Sequence, residues 1–406
     1  MTKIYERIEN TTGDDGDDNE QRPTTIPPPL LINPETILFD NHGKMYIMNE
    51  NAKLVSLTDF EPMISNTHDE AALSSSSSSY SIMTAKATEV ADLGVGRPLG
   101  GKFDKNGCLY FADAVLGLAR ICNLTNDNDS DDGKITTTTT TAQKKPNTKN
   151  VELLASRVQL QDGSWSSINY ADDVDIGPRT GHVYFSDASD VKVDRDVISG
   201  QWDVMYASKV EGVRGKRTGR LLRYKPETGM VDVLVANGVA FANGVAVNED
   251  ETYVLYSSTF EGRIMKYPLI NNEEEEPSTE PERILDTFPG FLDGVDCSFQ
   301  SGLCYVAIPT PMSPLVGAIF GMPTWLSRPI RSFLLMIPRT WAPKEKPYGG
   351  AAEIHPGNET SPARIIRIFQ DPDGRDISMV TGVTEHNGKL YLGSLHGNYV
   401  GVISLE

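Results

Sequence analysis

The sequence predicts an all-β chain folded as a six-bladed β-propeller, with a long apolar lid inserted between the fifth and sixth hairpins. Three observations carry this reading. One hairpin pattern, an apolar strand, a polar or glycine turn and a second apolar strand with an aromatic, occurs six times. β-Prone segments between the hairpins raise each unit to about four strands. No sustained helical period separates the units.

The clearest unit runs from Phe241 to Leu269, with strands over Gly244 to Val247 and Tyr253 to Ser257 around a polar turn. A third strand follows Gly262, with Ile264, Met265 and Tyr267 supplying bulk. The same hairpin is read in TILFDNHGKMYIMNE from Thr36, GGKFDKNGCLYFADA from Gly100 and DVDIGPRTGHVYFSDAS from Asp173. It returns in GVDCSFQSGLCYVAIPT from Gly294 and TGVTEHNGKLYLGSLHG from Thr381. Five of the six carry a Tyr beside or within an apolar triplet. The segments KLVSL, GLARI, NVELLA, GRLLRY, VDVLVA, GRIMKY, RILDTF and ARIIRIF supply the further strands. The last strand, YVGVISL, is expected to pair with an early strand and close the ring.

Residues 33–406 are read as a single propeller domain, because closed β architectures reach this length without dividing. Residues 1–32 read as a disordered acidic leader without the apolar run of a signal peptide or signal anchor. Low-complexity insertions fall over about 62–88 and 123–150. The net charge of −19 excludes a nucleic-acid partner and argues against a polybasic hold on anionic lipid. A Pro-rich apolar excursion spans about 309–362. Its lid, from Pro311 to Pro338, is broken by prolines and by Arg328 and Arg331, so no transmembrane span is expected. An apolar cap, or a helix pair in peripheral contact with a membrane surface, fits better. The cysteines form two pairs, Cys108/Cys122 and Cys297/Cys304, each bracketing a turn. Two readings stay open: cross-strand disulfides, implying an oxidising compartment, or four half-buried free thiols.

Candidate chemistry lies just before the first strand of the hairpins. Glu35, Asp172, Asn243 and Asp293 occupy that place in hairpins one, three, four and five. In a propeller these strand starts converge on the central channel, and four oxygen donors there suit a hard cation, Ca²⁺ above Mg²⁺. A single Asp or Asn before a strand is an ordinary turn residue; the coincidence in four units carries the argument. His396 is the one histidine whose place suits the channel mouth. Asp113 and Asp187, in YFAD and YFSD, read as organisers of turns between blades. No nucleophile elbow, zinc-binding HExxH, P-loop or dinucleotide fingerprint is present.

Several longer stretches add a family likeness. GRPLGGKFDKNGCLYFADAVLGL, DDVDIGPRTGHVYFSDAS, TGRLLRYKPETGMVDVLVANGVAFANGVAV, FPGFLDGVD and HNGKLYLGS resemble the strictosidine synthase-like family, and within it the adipocyte plasma membrane-associated protein branch. The resemblance implies a propeller related to paraoxonases and gluconolactonases, with calcium at the channel mouth. The ligands it implies fall on Glu35, Asp172, Asn243 and Asp293. Two departures stand out: an Asn is usual at Asp172, and an Asp-Asn pair is usual where this chain has Asp293-Gly294. The glutamate of the family's condensation reaction falls at Thr381, and its neighbouring histidine at Met379. The paraoxonase-type histidine falls at Leu99.

Thr381 cannot act as general acid or base, so strictosidine synthesis is not expected. The expected function is calcium-dependent hydrolysis of small hydrophobic esters or lactones, arylesterase- or lactonase-like, with Asp293 or Asp173 as the general base. The alternative is a non-catalytic calcium-stabilised propeller that serves as a binding or scaffold module.

Overall fold

A computed structural model describes residues 5–10, 30–62, 80–124, 151–269, 280–312, 317–318, 322–337, 347–358 and 360–405. Strand β1 (Tyr5–Asn10) belongs to the last blade. Blade one comprises β2 (Ile37–Phe39), β3 (Met45–Met48), β4 (Lys53–Pro62) and β5 (Tyr80–Asp92). Blade two comprises β6 (Pro98–Phe103), β7 (Leu109–Asp113), β8 (Gly117–Ile121) and β9 (Val151–Ala155). A small hairpin of β10 (Arg157–Gln159) and β11 (Trp165–Ser167) leads to blade three. That blade holds β12 (Ala171–Ile176), β13 (Val183–Asp187), β14 (Gly219–Lys225) and β15 (Met230–Val239). Blade four holds β16 (Ala242–Val247), β17 (Tyr253–Ser258), β18 (Arg263–Pro268) and β19 (Glu282–Leu285). Blade five holds β20 (Val295–Cys297), β21 (Cys304–Ile308), β22 (Gly349–His355) and β23 (Arg364–Asp371). Blade six holds β24 (Val380–His386), β25 (Lys389–Ser394) and β26 (Tyr399–Ser404), with β1 as its outer strand.

The first strands of successive blades lie side by side in the order β2, β6, β12, β16, β20, β24 and back to β2. This is the propeller the repeats imply. Closure comes from the chain ends: β26 pairs antiparallel with β1, Tyr399 opposite Glu9, as expected of the last strand. Strand β1 lies within the stretch read as an unstructured leader, and it also pairs in parallel with β5 of blade one.

Alternation along the strands explains the core. Successive side chains point to opposite faces, so Leu38 packs toward blade two while Ile37 packs toward blade six. The result is six apolar cores, one between each pair of neighbouring blades. Each buried Leu, Ile or Phe contributes about 1.5–3 kcal/mol, and Leu54, Phe111, Phe185, Leu255 and Val306 are fully buried. Both cysteine pairs are disulfides, Cys108–Cys122 joining β7 to the end of β8 and Cys297–Cys304 joining β20 to β21. The free-thiol reading does not hold.

Among the described residues, two helices longer than a single turn interrupt the strands: α1 (Val204–Arg214) and α2 (Thr324–Met336). The Asp203 side chain caps α1 through the Tyr206 amide, and Gly215, at φ 63°, ends it in the left-handed conformation. Helix α2 lies in the expected lid. The excursion is shorter than the sequence implied, because residues 349–355 are the third strand of blade five. The expected insertion over 62–88 is likewise shortened by β5, which begins at Tyr80. Residues 63–79 and 125–150 of the two low-complexity insertions lie outside the described residues.

Candidate functional site

A repeated backbone irregularity aims the donor positions at the channel. Ladder registers shift between Pro98 and Gly101, Ala171 and Val174, Ala242 and Val245, and Val380 and Gly382. Leu99, Asp172, Asn243 and Thr381 lie inside those shifts, where a bulge turns a side chain out of the blade. In blades one and five the ladder starts only after Glu35 and Asp293. Three of these approaches share a left-handed residue two places earlier: Asn33 (φ 47°), Phe241 (φ 67°) and Met379 (φ 50°). Such a conformation is costly for Phe and Met.

The residue after each donor position sets how closely the blades approach. A Cβ on Gly294 would stand 2.8 Å from the carbonyl oxygen of Thr381, and one on Gly382 would collide with the Glu35 carbonyl. Gly100 and Gly244 meet the backbone of the next blade in the same way. The Asp293-Gly294 departure therefore has a packing reason: an Asn at 294 would not fit against Thr381. Blade three has Asp173 at this position. Its two oxygens accept the amides of Val174 (2.8 Å) and, across to blade four, Val245 (2.9 Å). Asp175 repeats the bond to Val247 at 2.8 Å. Lys102 lies 3.5 Å from Asp175 and 3.1 Å from Asp296, tying three blades together below the donor layer.

The structure places Glu35, Asp172, Asn243 and Asp293 among the buried polar residues. Burial, opposed by the Arg97 guanidinium and aided by Asp173, pushes the Glu35 carboxyl up to about 7. Asp172 is raised well above its usual range by burial and by Glu35 and Asp293. Asp293 is raised likewise by burial and Glu35, against a hydrogen bond with the Asn243 side chain. Asp173 rises to about 7 through burial, opposed by its two amide donors. Glu35 Oε2, Asp293 Oδ1 and Thr381 Oγ1 are buried without a hydrogen-bond partner. Among the described residues, no three His, Cys, Asp or Glu side chains close into a ready-made ligand shell.

The donor chemistry nevertheless fits a hard divalent cation. All the donors are oxygens, two of them orphaned carboxylate atoms, and buried orphans demand a partner. Glu35, Asp172 and Asp293, with Asp173 beside them, face the one positive charge of Arg97, an acidic excess that suits a dication. Arg97 went unnoticed in the sequence, although it stands two residues before Leu99, in the same frame as the other approaches. It is 2% exposed, and its hydrogen bonds, to the carbonyls of Pro98 and Asn33, are long at 3.4 and 3.5 Å.

Two cavities flank the donor layer. One of about 300 Å³ is bounded by Asn33, Arg97, Trp202, Val204 and His396. The other, of about 380 Å³, lies toward Lys102, Asp175, Asp296 and Glu385. The mouth itself is covered: Val204 and Ala207 of α1 pack on Leu99, Tyr170 and Phe241, and the Tyr170 hydroxyl donates to the Val204 carbonyl. Asp187 holds the amides of Asn169 and Tyr170, and Asp113 those of Val115 and Leu116. Both aspartates organise turns, as expected.

The family profile described as Strictosidine synthase matches residues 172–273, which include Asp172 and Asn243. Over that stretch the chain is similar to the strictosidine synthase-like family. A protein of Arabidopsis thaliana, strictosidine synthase-like 2, is 29% identical over 316 residues, covering 76% of this chain and 71% of that protein. The adipocyte plasma membrane-associated protein of Salmo salar is 28% identical over 316 residues, covering 77% and 64%. Among solved structures, a gluconolactonase of Xanthomonas campestris superposes with TM-score 0.50 at 11% identity, covering 93% of this chain and 88% of its own. A luciferin-regenerating enzyme gives TM-score 0.50 at 12% identity, covering 92% of each chain. At such identities the structural likeness speaks for the fold. No helix among the described residues is long and apolar enough to cross a membrane.

Proposed function

We propose that this strictosidine synthase-like chain is a calcium-dependent hydrolase of small hydrophobic esters or lactones. The observation that carries the reading is the pair of orphaned carboxylate oxygens, on Glu35 and Asp293, inside a buried donor layer. Glu35, Asp172, Asn243 and Asp293 would hold the ion. When bound, the cation supplies Lewis-acid polarisation of a carbonyl and neutralisation of developing negative charge.

The chain's own residues do the rest. The Asn243 side chain bonds Asp293 and orients it, and Asp293 would take a proton from water through whichever carboxylate oxygen the ion leaves free. Asp173, the other expected base, fits the role less well, because both its oxygens already accept amides. Leu99, Val204, Tyr170 and Phe241 surround the layer with apolar surface, which suits aryl or acyl groups and excludes water. The gluconolactonase with the same fold is a precedent for lactone chemistry on such a scaffold.

A second reading has its own support. Thr381 and Leu99 stand where relatives' catalytic side chains are expected, and α1 covers the mouth. On that reading calcium holds the ring together and the protein is a binding module. The discriminating experiment is hydrolysis of phenyl acetate and a set of γ- and δ-lactones with Ca²⁺, with EGTA, and by Asp293→Asn. Turnover lost on chelation and in a folded variant supports the hydrolase. No turnover by the wild type, with a melting temperature that still rises with Ca²⁺, supports the binding module.

A further inference from the structure

The buried polar atoms of the donor layer that lack a hydrogen bond fall in three consecutive blades: Asp293 Oδ1 in blade five, Thr381 Oγ1 in blade six and Glu35 Oε2 in blade one. Thr381 stands between the other two residues in the ring. Its carbonyl accepts the Gly294 amide at 2.8 Å, and a Cβ on the next residue, Gly382, would collide with the Glu35 carbonyl. Val380 pairs with Ser394 and Gly382 with Gly393, so Thr381 is the extra residue of a bulge. Met379, two places earlier, holds the left-handed conformation at φ 50°. Strain of that kind on a non-glycine residue gathers at functional sites.

Thr381 is 2% exposed, and a buried hydroxyl without a partner costs stability. Valine would fill the same space without that cost. Thr384, on the same strand, shows the ordinary solution: its hydroxyl donates to the Ile37 carbonyl at 2.7 Å. The three unbonded atoms also differ in kind. An ionised carboxylate only accepts, so Asp293 Oδ1 and Glu35 Oε2 suit a cation or a water proton, whereas Thr381 Oγ1 carries a proton to give. It gives that proton to neither carboxylate. A carbonyl oxygen held beside the two carboxylates is an acceptor that such a donor can meet.

We propose that Thr381 is a further catalytic residue, whose hydroxyl donates a hydrogen bond to the carbonyl oxygen of the ester or lactone and to the oxyanion formed from it. The inference rests on the hydrolase reading above. In the addition step the water oxygen bonds to the carbonyl carbon, its proton passes to Asp293, and the C=O π pair moves onto the oxygen that Thr381 holds. In the second step that pair re-forms the C=O bond, the carbon–oxygen bond to the leaving alcohol breaks, and the alcohol oxygen takes the proton back from Asp293. Thr381 keeps its own proton throughout. A side chain that cannot serve as general acid or base is therefore suited to this place.

The test compares wild type, Thr381→Val and Thr381→Ser in the full chain, with phenyl acetate and a set of γ- and δ-lactones in Ca²⁺. Thr381→Val should lower kcat about 10²-fold, with KM and the Kd for Ca²⁺ within about twofold of wild type. The same variant should raise Tm in EDTA by about 1–3 °C, because the unpartnered hydroxyl is gone. Thr381→Ser, which keeps a hydroxyl, should recover most of kcat. Wild-type turnover that Thr381→Val leaves unchanged overturns this inference and leaves the hydrolase reading standing. A Kd for Ca²⁺ weakened about tenfold in Thr381→Val makes the hydroxyl a ligand of the ion instead, and a Tm lowered in EDTA makes it a structural group; either result overturns the donor role. Absence of turnover by wild type overturns the hydrolase reading and this inference with it.

Discussion

In divalent-free buffer with EDTA, raising the pH from about 5 to 8 should destabilise this protein, and Glu35 gives the size of the effect. Its carboxyl is 5% exposed as a residue, and burial lifts its pKa from 4.5 to about 7. A folded-state pKa above the unfolded value means that the native state binds the extra proton between the two. The stabilisation is therefore complete below the unfolded value and is lost as pH climbs toward 7. A difference of about 2.5 pH units corresponds to about 3 kcal/mol. For a chain of 406 residues, unfolding entropy near 2.1 cal/mol/K per residue turns this into about 4 °C of Tm. Asp172 and Asp293 are raised in the same direction, so they add to the fall. Calcium should reverse the trend, because the ion competes with protons for the same oxygens and stabilises more at pH 8 than at pH 5. The assay is calorimetry or thermal melts across this range, for wild type and Glu35→Gln. A wild-type Tm that rises with pH in EDTA, or a Glu35→Gln slope equal to that of wild type, would refute the reasoning.

Three further outcomes follow from the packing. Gly382→Ala should cost about 2 kcal/mol or more, because its Cβ collides with the Glu35 carbonyl, a backbone atom; thermal melts would check this. Cys108→Ser/Cys122→Ser opens a loop of 14 residues and should lower stability by about 3 kcal/mol, read from urea midpoints. Asp173→Asn should lower Tm, since the amide nitrogen cannot accept from Val174 and Val245 together as the carboxylate does; melts unchanged from wild type would remove its clasp role.

The ring was legible in the sequence because each hairpin repeats a period-two apolar pattern closed by glycine or polar turns. Of the nine additional segments named there, eight lie almost wholly in strands, and RILDTF does so only through Arg283 to Leu285. The donor positions were legible for the same reason: the repeat supplies a frame, and Glu35, Asp172, Asn243 and Asp293 share a place in it. Strand β22, GGAAEIH, was not, because glycine and alanine carry little β preference; Gly349 is there for the close approach of the Ile377 carbonyl. Helix α1 buries only Val204, Ala207, Glu211 and Gly212, so its apolar period is faint. Its caps, Asp203 and Gly215, were the readable signal. Arg97 was not legible, because the repeated frame marks the residue just before each strand, Leu99 in blade two, and Arg97 lies two positions earlier. The bulges themselves have no marker beyond the glycine that follows in blades two, four and six, and blade three has Asp173 there instead.

The most direct test of the dication site is a calorimetric titration of Ca²⁺ into EDTA-stripped, dialysed protein at about pH 8, above the raised carboxyl of Glu35. The site predicts one bound ion per chain, with proton uptake by buffer that grows as the pH is lowered, and at least about a tenfold weaker Kd for Asp293→Asn. An absence of binding, or a variant that binds as tightly as wild type, would contradict it.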